Sequence, residues 1–105
     1  MILDIVESIN GVPIRLTEEQ WFEHIVDKRP YMSGHRQNVL DCVYNPQFIL
    51  RGESGTLVAV INVGRSQWLH VIYRENNKTD GFVITAYIKR DYNQRRILWQ
   101  SNNDN

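Results

Sequence analysis

The most regular hydrophobic pattern in this chain lies in two neighbouring segments, 68–74 and 82–89. Apolar and polar side chains alternate along both segments, and β-branched and aromatic residues are frequent in each. Such alternation is typical of strands with one buried face, so we predict two strands joined by a polar turn. The side chains on these strands that are able to do chemistry are His70, Tyr73, Arg74, Thr85, Tyr87 and Lys89.

The register of this hairpin decides which of those side chains share a face. A turn of five residues places Tyr73 on the same face as Thr85 and Tyr87. A register shifted by one residue exchanges the two faces and brings His70 and Arg74 to that position instead. The sequence leaves both registers open.

The N-terminal part of the chain predicts another hairpin. Apolar runs at 2–6 and 12–16 flank Asn10-Gly11. An Asn-Gly pair between apolar runs is a strong hairpin signal, because both residues tolerate the positive φ angles of a tight turn. We therefore expect two short antiparallel strands at the start of the chain.

Two helices are predicted after this hairpin. Thr17 and Gln20 have the spacing of a capping box, and an apolar stripe follows them, so the first helix begins at Thr17 and ends before the next proline. The second helix covers about residues 35–44, where Asn45-Pro46 ends it. Both helices carry one apolar face, which we expect to pack on a sheet.

The remaining apolar segments complete the predicted fold. Residues 48–50 predict a short strand, and the nearly continuous apolar run at 56–63 is typical of a central strand covered on both faces. We predict an α+β fold, in which an N-terminal hairpin and two helices pack on one face of an antiparallel sheet of about four strands. A single domain would span residues 1–99, with a disordered tail at 100–105.

Composition narrows the class of protein. The chain has 105 residues, of which 42% are hydrophobic and 23% charged, as in an ordinary soluble domain. Its formal net charge of +0 argues against a protein held to nucleic acid by bulk charge, although a local basic patch remains open. Cys42 is the only cysteine, which excludes an internal disulfide. No segment has the pattern of a signal peptide or the length of a membrane span, so we expect a cytoplasmic protein without a membrane partner.

Several short motifs carry a resemblance to a known superfamily. They are Leu16-Thr17-Glu18-Glu19, His24-Ile25, Asn45-Pro46, Tyr73-Arg74-Glu75, Asp80-Gly81-Phe82, Ile84-Thr85-Ala86-Tyr87 and Arg95-Arg96-Ile97-Leu98-Trp99. With these motifs the chain resembles small bacterial and phage domains of the barnase, EndoU, colicin and RelE nuclease superfamily. Many of those domains look like toxins of toxin–antitoxin pairs. The resemblance therefore implies an RNA substrate, a small antitoxin protein as partner, and two N-terminal helices on an antiparallel sheet.

The resemblance also implies a metal-independent endoribonuclease, in which the ribose 2′-OH attacks the adjacent phosphate. His24 would be the acid or base, because an imidazole titrates near neutral pH. Arg74 would clamp the phosphate, and Thr85 and Tyr87 would position it. The candidate RNA-binding residues are Lys28, Arg29, Tyr73, Lys89, Arg90, Arg95 and Arg96. We expect no metal and no cofactor, because the histidines and the cysteine lack recognisable ligand spacing.

One departure from the superfamily pattern keeps other interpretations open. In the relatives an Arg-His-Pro-Glu motif follows the helical histidine, whereas this chain has Lys28-Arg29-Pro30-Tyr31. The second histidine and the acid are both absent. The sequence therefore also fits a non-catalytic RNA- or protein-binding module on the same scaffold, or an enzyme that acts on a nucleotide-like small molecule.

Overall fold

The computed structural model describes residues 1–102, and within them the alternating segments form seven strands of one mixed sheet. The strands are β1 (Ile2–Glu7), β2 (Pro13–Thr17), β3 (Phe48–Arg51), β4 (Leu57–Gly64), β5 (Gln67–Asn77), β6 (Asp80–Lys89) and β7 (Ile97–Gln100). Their order across the sheet is β1-β2-β6-β5-β4-β3-β7. β2 and β6 run parallel, and every other neighbouring pair is antiparallel.

Two short helices connect the N-terminal hairpin to the rest of the sheet. Helix α1 (Glu19–Val26) has a wide winding, in which the Asp27 N–H donates to the Phe22 carbonyl at 2.9 Å. A 3₁₀ turn (Pro30–Gly34) leads into helix α2 (Arg36–Tyr44). Further 3₁₀ turns lie at Glu53–Gly55 and Gln94–Arg96.

The capping interaction expected at the first helix forms only in part. The Gln20 N–H donates to Thr17 Oγ1 at 3.1 Å, which is the N-terminal half of a capping box. The Gln20 side chain does not return to Thr17 but donates to the Ile84 carbonyl of β6. This contact holds α1 against β6 at Ile84, beyond Gly81 and Phe82, the residues of β6 that pair with β2.

The predicted arrangement of a hairpin and two helices on about four antiparallel strands is wrong. The N-terminal hairpin does not pack on the sheet but belongs to it, because Ile14 and Arg15 of β2 pair with Gly81 and Phe82 of β6. At the opposite edge, β7 pairs with β3 and adds a seventh strand. The domain is mostly sheet, since its two helices have only eight and nine residues. Local patterns predicted strands β1 to β6, but neither β7 nor the long-range pairings that join the strands.

The two faces of the sheet have different surroundings. The helices cover one face, where Trp21 and Ile25 of α1 and Val39 and Val43 of α2 join the main hydrophobic core. The strands contribute fully buried side chains to this core, among them Ile14, Leu16, Leu69, Val71 and Tyr73. On the other face, a smaller apolar cluster centres on Leu50, Val58 and Val60. No described helix is part of that cluster, so this second face is available for a site.

A bulge in β6 settles which residues of the β5–β6 hairpin face each side. Tyr73 pairs with Val83 next to the turn, but Ile72 pairs with Thr85, so Ile84 is the extra residue. The first predicted register therefore holds near the turn, and the shifted register holds beyond the bulge. The bulge places His70 directly opposite Tyr87, on the face away from the helices.

The predicted disordered tail at 100–105 lies partly within the described residues, and two of its residues make regular contacts there. Gln100 is the last residue of β7, and the Ser101 N–H donates to the Gln47 carbonyl at 2.9 Å. Residues 103–105 lie outside the described part of the chain.

The β2–β6 junction can be tested at Gly81. A Cβ at this position would lie 2.5 Å from Ile14 Cδ1 and 2.6 Å from the Arg74 carbonyl oxygen. Because both neighbours are held in the sheet, we expect Gly81→Ala to lower the free energy of unfolding by about 1–3 kcal/mol. The measurement is urea denaturation followed by circular dichroism.

Gly34→Ala is the matched control, because a Cβ there meets no atom within 4 Å. We expect its unfolding free energy to stay within about 0.5 kcal/mol of wild type. Equal denaturation midpoints for the two variants would contradict the close packing of β2 on β6.

Candidate functional site

A cleft of about 630 Å³ opens on the sheet face that the helices leave uncovered. Its floor comes from β4, β5 and β6, and its rim from the end of β3, the Glu53–Gly55 turn and the segment after β6. The charged and aromatic residues that line it are His70, Tyr87, Lys89, Tyr92, Arg51, Arg96, Glu53 and Asp91. Apolar side chains of the smaller cluster, such as Ile72 and Val58, complete the floor.

His70 lies on the floor of this cleft and is only 4% exposed. Its Nδ1 lies 2.9 Å from the Trp68 carbonyl oxygen. A carbonyl oxygen only accepts, so Nδ1 carries the proton in the neutral ring and Nε2 keeps its lone pair. Within residues 1–102, Nε2 has no hydrogen-bond partner.

Burial lowers the pKa of His70, and the nearby Lys89 charge acts in the same direction. The ring is therefore neutral at pH 7, with Nε2 able to accept a proton.

The Tyr87 ring contacts both His70 on the floor of the cleft and two cations, Arg29 and Lys89. Its ring stacks on the His70 ring, with centroids 5.2 Å apart and an interplanar angle of 20°. The Arg29 guanidinium lies 5.2 Å from the centre of the Tyr87 ring, and Lys89 Nζ lies 5.3 Å from it. Burial raises the pKa of the Tyr87 hydroxyl, although the Arg29 charge opposes that change. The phenol therefore stays protonated at neutral pH while two cations contact its ring.

The rim combines charged and aromatic side chains. Arg96 Nη1 donates to the Arg51 carbonyl at 3.1 Å, and Arg96 Nη2 lies 3.6 Å from Glu53 Oε1. Because Glu53 is largely exposed, this ion pair orients the arginine more than it stabilises the fold. The Tyr92 ring stacks on Phe48 with centroids 4.5 Å apart. The rim thus presents a guanidinium beside an ordered aromatic wall.

Of the four predicted catalytic residues, Tyr87 alone is among the residues that line the cleft. His24 is a partly buried residue of α1, and α1 lies along β6 rather than under the cleft. Thr85 pairs with Ile72 on the sheet face of the cleft but does not line it. Arg74 extends toward the Glu53–Gly55 turn, where its Nη1 would lie 3.6 Å from a Cβ at Gly55.

Three of the seven predicted RNA-binding residues belong to this site. Lys89 and Arg96 line the cleft, and Arg29 contacts the Tyr87 ring from the loop after α1. Arg90 lines a neighbouring groove. Lys28 and Arg95 are exposed but line neither cavity.

Tyr73 is placed differently from its predicted role in RNA binding. Its side chain is fully buried in the main core, under the helices. Its hydroxyl has no hydrogen-bond partner among the described residues. Tyr73 lies on the same side of β5 as Leu69 and Val71, which face the helices, so its buried side chain cannot contact RNA.

His70 is the functional candidate that sequence reasoning did not select. The signal for it was present, since the shifted register brings His70 beside Thr85 and Tyr87. No local pattern distinguishes the two registers, because the bulge that combines them depends on how both strands pack in the whole sheet.

No family model, no curated protein and no solved structure matches this chain. Among residues 1–102, no group of three or more His, Cys, Asp or Glu side chains is placed to hold a metal ion. None of the helices in that same part of the chain has the length and apolar content that a membrane crossing requires. The geometry of the cleft and the short motifs are therefore the basis for any functional proposal.

The burial of His70 predicts a dependence of stability on pH. The pKa of His70 is below its ordinary value of 6.5 in the folded state, so the unfolded chain binds a proton there first. The stabilising contribution of the neutral ring is complete above pH 6.5 and is lost as pH falls below it. We expect protonation of His70 to lower the free energy of unfolding by at most about 1.4 kcal/mol per pH unit in that range.

The measurement compares urea denaturation of wild type and His70→Asn between pH 7.5 and about pH 5. The asparagine amide keeps a donor for the Trp68 carbonyl but does not titrate. The difference in unfolding free energy between the two proteins should shrink as pH falls. A difference that stays constant over this range would contradict a buried, neutral His70.

Proposed function

We propose that this protein is a metal-independent endoribonuclease, a toxin-type enzyme of the cytoplasm that a small antitoxin protein neutralises. The main support for the proposal is that His70 stacks on Tyr87 at the floor of a cleft and that two cations lie near the Tyr87 ring. The short motifs that resemble the barnase, EndoU, colicin and RelE nuclease superfamily support the same reaction. Cleavage of RNA by its own 2′-OH needs a base, an acid and positive charge, and no metal.

The size and lining of the cleft fit one nucleotide. A volume of about 630 Å³ lies within the range of pockets that hold small ligands. Tyr92 is partly exposed and lines the cleft, where its ring would stack on a base, as is common in proteins that bind single-stranded RNA. Lys89 and Arg96, which both line the cleft, supply positive charge for the phosphate.

In the proposed mechanism, His70 is the general base. Its Nε2 accepts the proton of the ribose 2′-OH, and the 2′ oxygen then forms a new bond to the adjacent phosphorus. The Nδ1–H bond to the Trp68 carbonyl orients the ring for this step. A neutral histidine is required, which burial of His70 ensures at pH 7.

The remaining groups stabilise charge and complete proton transfer. As the bond from phosphorus to the 5′ oxygen breaks, the Tyr87 hydroxyl donates its proton to that oxygen. Lys89 and Arg96 stabilise the added negative charge on the phosphorane. The products are a 2′,3′-cyclic phosphate and a free 5′-OH, and the proton on His70 returns to solvent or to the phenolate.

The residues that the sequence predicts to be catalytic have partly different roles in this proposal. His24 does not line the cleft, so His70 replaces it as the base. Arg74 and Thr85 lie on the same sheet face beside the cleft, where they would position the RNA rather than touch the reacting atoms.

The first experiment incubates the purified protein with total cellular RNA in the presence of EDTA. We expect fragments that end in 2′,3′-cyclic phosphate. His70→Asn should lower the cleavage rate by about 10²–10⁴-fold, because loss of a general base costs that much. Fragments are separated by gel, and their ends are identified by mass spectrometry.

The matched control is His24→Asn, which changes a histidine outside the cleft in the same way. It should cleave at close to the wild-type rate. A loss of activity in His24→Asn with full activity in His70→Asn would overturn the assignment of the base. No cleavage by the folded wild-type protein at any concentration would favour the non-catalytic binding module instead.

A further inference from the structure

A second groove of about 590 Å³ lies beside the cleft. It is formed where the 3₁₀ turn at Pro30–Gly34 meets the β4–β5 turn and the C-terminal end of β6. The side chains that matter for its chemistry are Tyr31, His35, Arg65, Ser66, Lys89 and Arg90.

The charged side chains that line this groove are all basic. Arg65, Lys89 and Arg90 line it, and none of the described residues that line it is an acid. This differs from the cleft, where Glu53 and Asp91 stand among the cations. In a chain with a formal net charge of +0, three unopposed cations in one concave surface mark a place for an anion.

The groove and the cleft share one lining residue. Lys89 lines both cavities, with its Nζ 5.3 Å from the centre of the Tyr87 ring. A polyanion with one phosphate at Lys89 is therefore bound where the cleft and the groove meet.

The polar groups of the groove are held in place by the fold. The Tyr31 hydroxyl accepts the Ile88 N–H at 3.1 Å, which fixes the tyrosine on the open edge of β6 while its ring stays about half exposed. Ser66 has a φ of 55°, a conformation that a serine rarely adopts, and it shapes the tight turn that carries Arg65. Asn38 Nδ2 lies 2.9 Å from His35 Nδ1. Because the amide nitrogen is the donor, the proton of a neutral His35 is on Nε2, which is then a donor as well.

We propose that this groove binds the backbone phosphates of single-stranded RNA next to the nucleotide held in the cleft. The inference rests on the proposed function for the identity of the polyanion. Arg65 and Arg90 contact successive phosphates, and the exposed ring of Tyr31 stacks on a base. The substrate is accordingly an RNA of several nucleotides, not a mononucleotide or dinucleotide.

The experiment measures binding by fluorescence anisotropy with labelled 2′-O-methyl oligonucleotides of two and eight nucleotides. These probes resist cleavage because they have no free 2′-OH, so binding is measured whether or not the protein cuts RNA. We expect the longer probe to bind wild type at least tenfold more tightly. Arg65→Ala should weaken its binding about threefold to tenfold and leave the shorter probe unchanged.

The salt dependence provides a second readout. For single strands, each phosphate contact adds about 0.7 to the slope of log affinity against log salt. Arg65→Ala should reduce the slope by about that amount, and Arg65→Ala/Arg90→Ala by about twice as much. Lys78→Ala is the matched control, because it removes an exposed cation at the opposite end of the β5–β6 hairpin, about 30 Å away.

The outcomes separate this inference from the proposed function. Equal affinities of wild type, Arg65→Ala and Lys78→Ala for the longer probe would overturn the groove, even if RNA is cleaved. Length-dependent binding that Arg65→Ala weakens, without any RNA cleavage, would support the groove and reject the nuclease. Failure of the longer probe to bind more tightly than the shorter one would also overturn the groove, and would leave an acidic protein segment as the better candidate.

Discussion

The arrangement of the site depends on one extra residue in strand β6. Ile84 has no partner in β5, and this bulge shifts the pairing of the two strands by one residue. Without it, Tyr87 would lie opposite Leu69 and face the helices. With it, Ala86 turns into the main core and Tyr87 lies opposite His70 on the uncovered face. A local change of register therefore moves a chemically able side chain from a dry interior to a cleft.

The sheet that surrounds the bulge keeps its two faces separate. On one face, α1 and α2 cover a continuous core, and the Gln20 side chain ties α1 to the bulged strand at Ile84. The hairpin β1–β2 and strand β7 extend the sheet at opposite edges. The helix-free face needs no further covering, because a sheet is stable with one face packed and the other available to solvent or ligand.

The distribution of charge matters more than its total. The formal net charge is +0, and the ion pairs of Asp4 with Arg36 and Asp80 with Arg15 each join one acid to one cation away from the cleft. Other cations lie near Tyr87 and along the adjoining groove. Locally concentrated charge attracts a polyanion even where the whole domain has no excess charge.

The sequence by itself determined most local elements of this protein: the N-terminal hairpin, the helix at 36–44 and strands β3 to β6, because alternation and turn chemistry act over a few residues. It also singled out Tyr87 and Lys89. The tertiary structure alone decided that β2 joins β6, that Tyr73 is buried and that His70 reaches the cleft. Those outcomes depend on contacts between residues far apart in the chain, which hydrophobic periodicity does not encode.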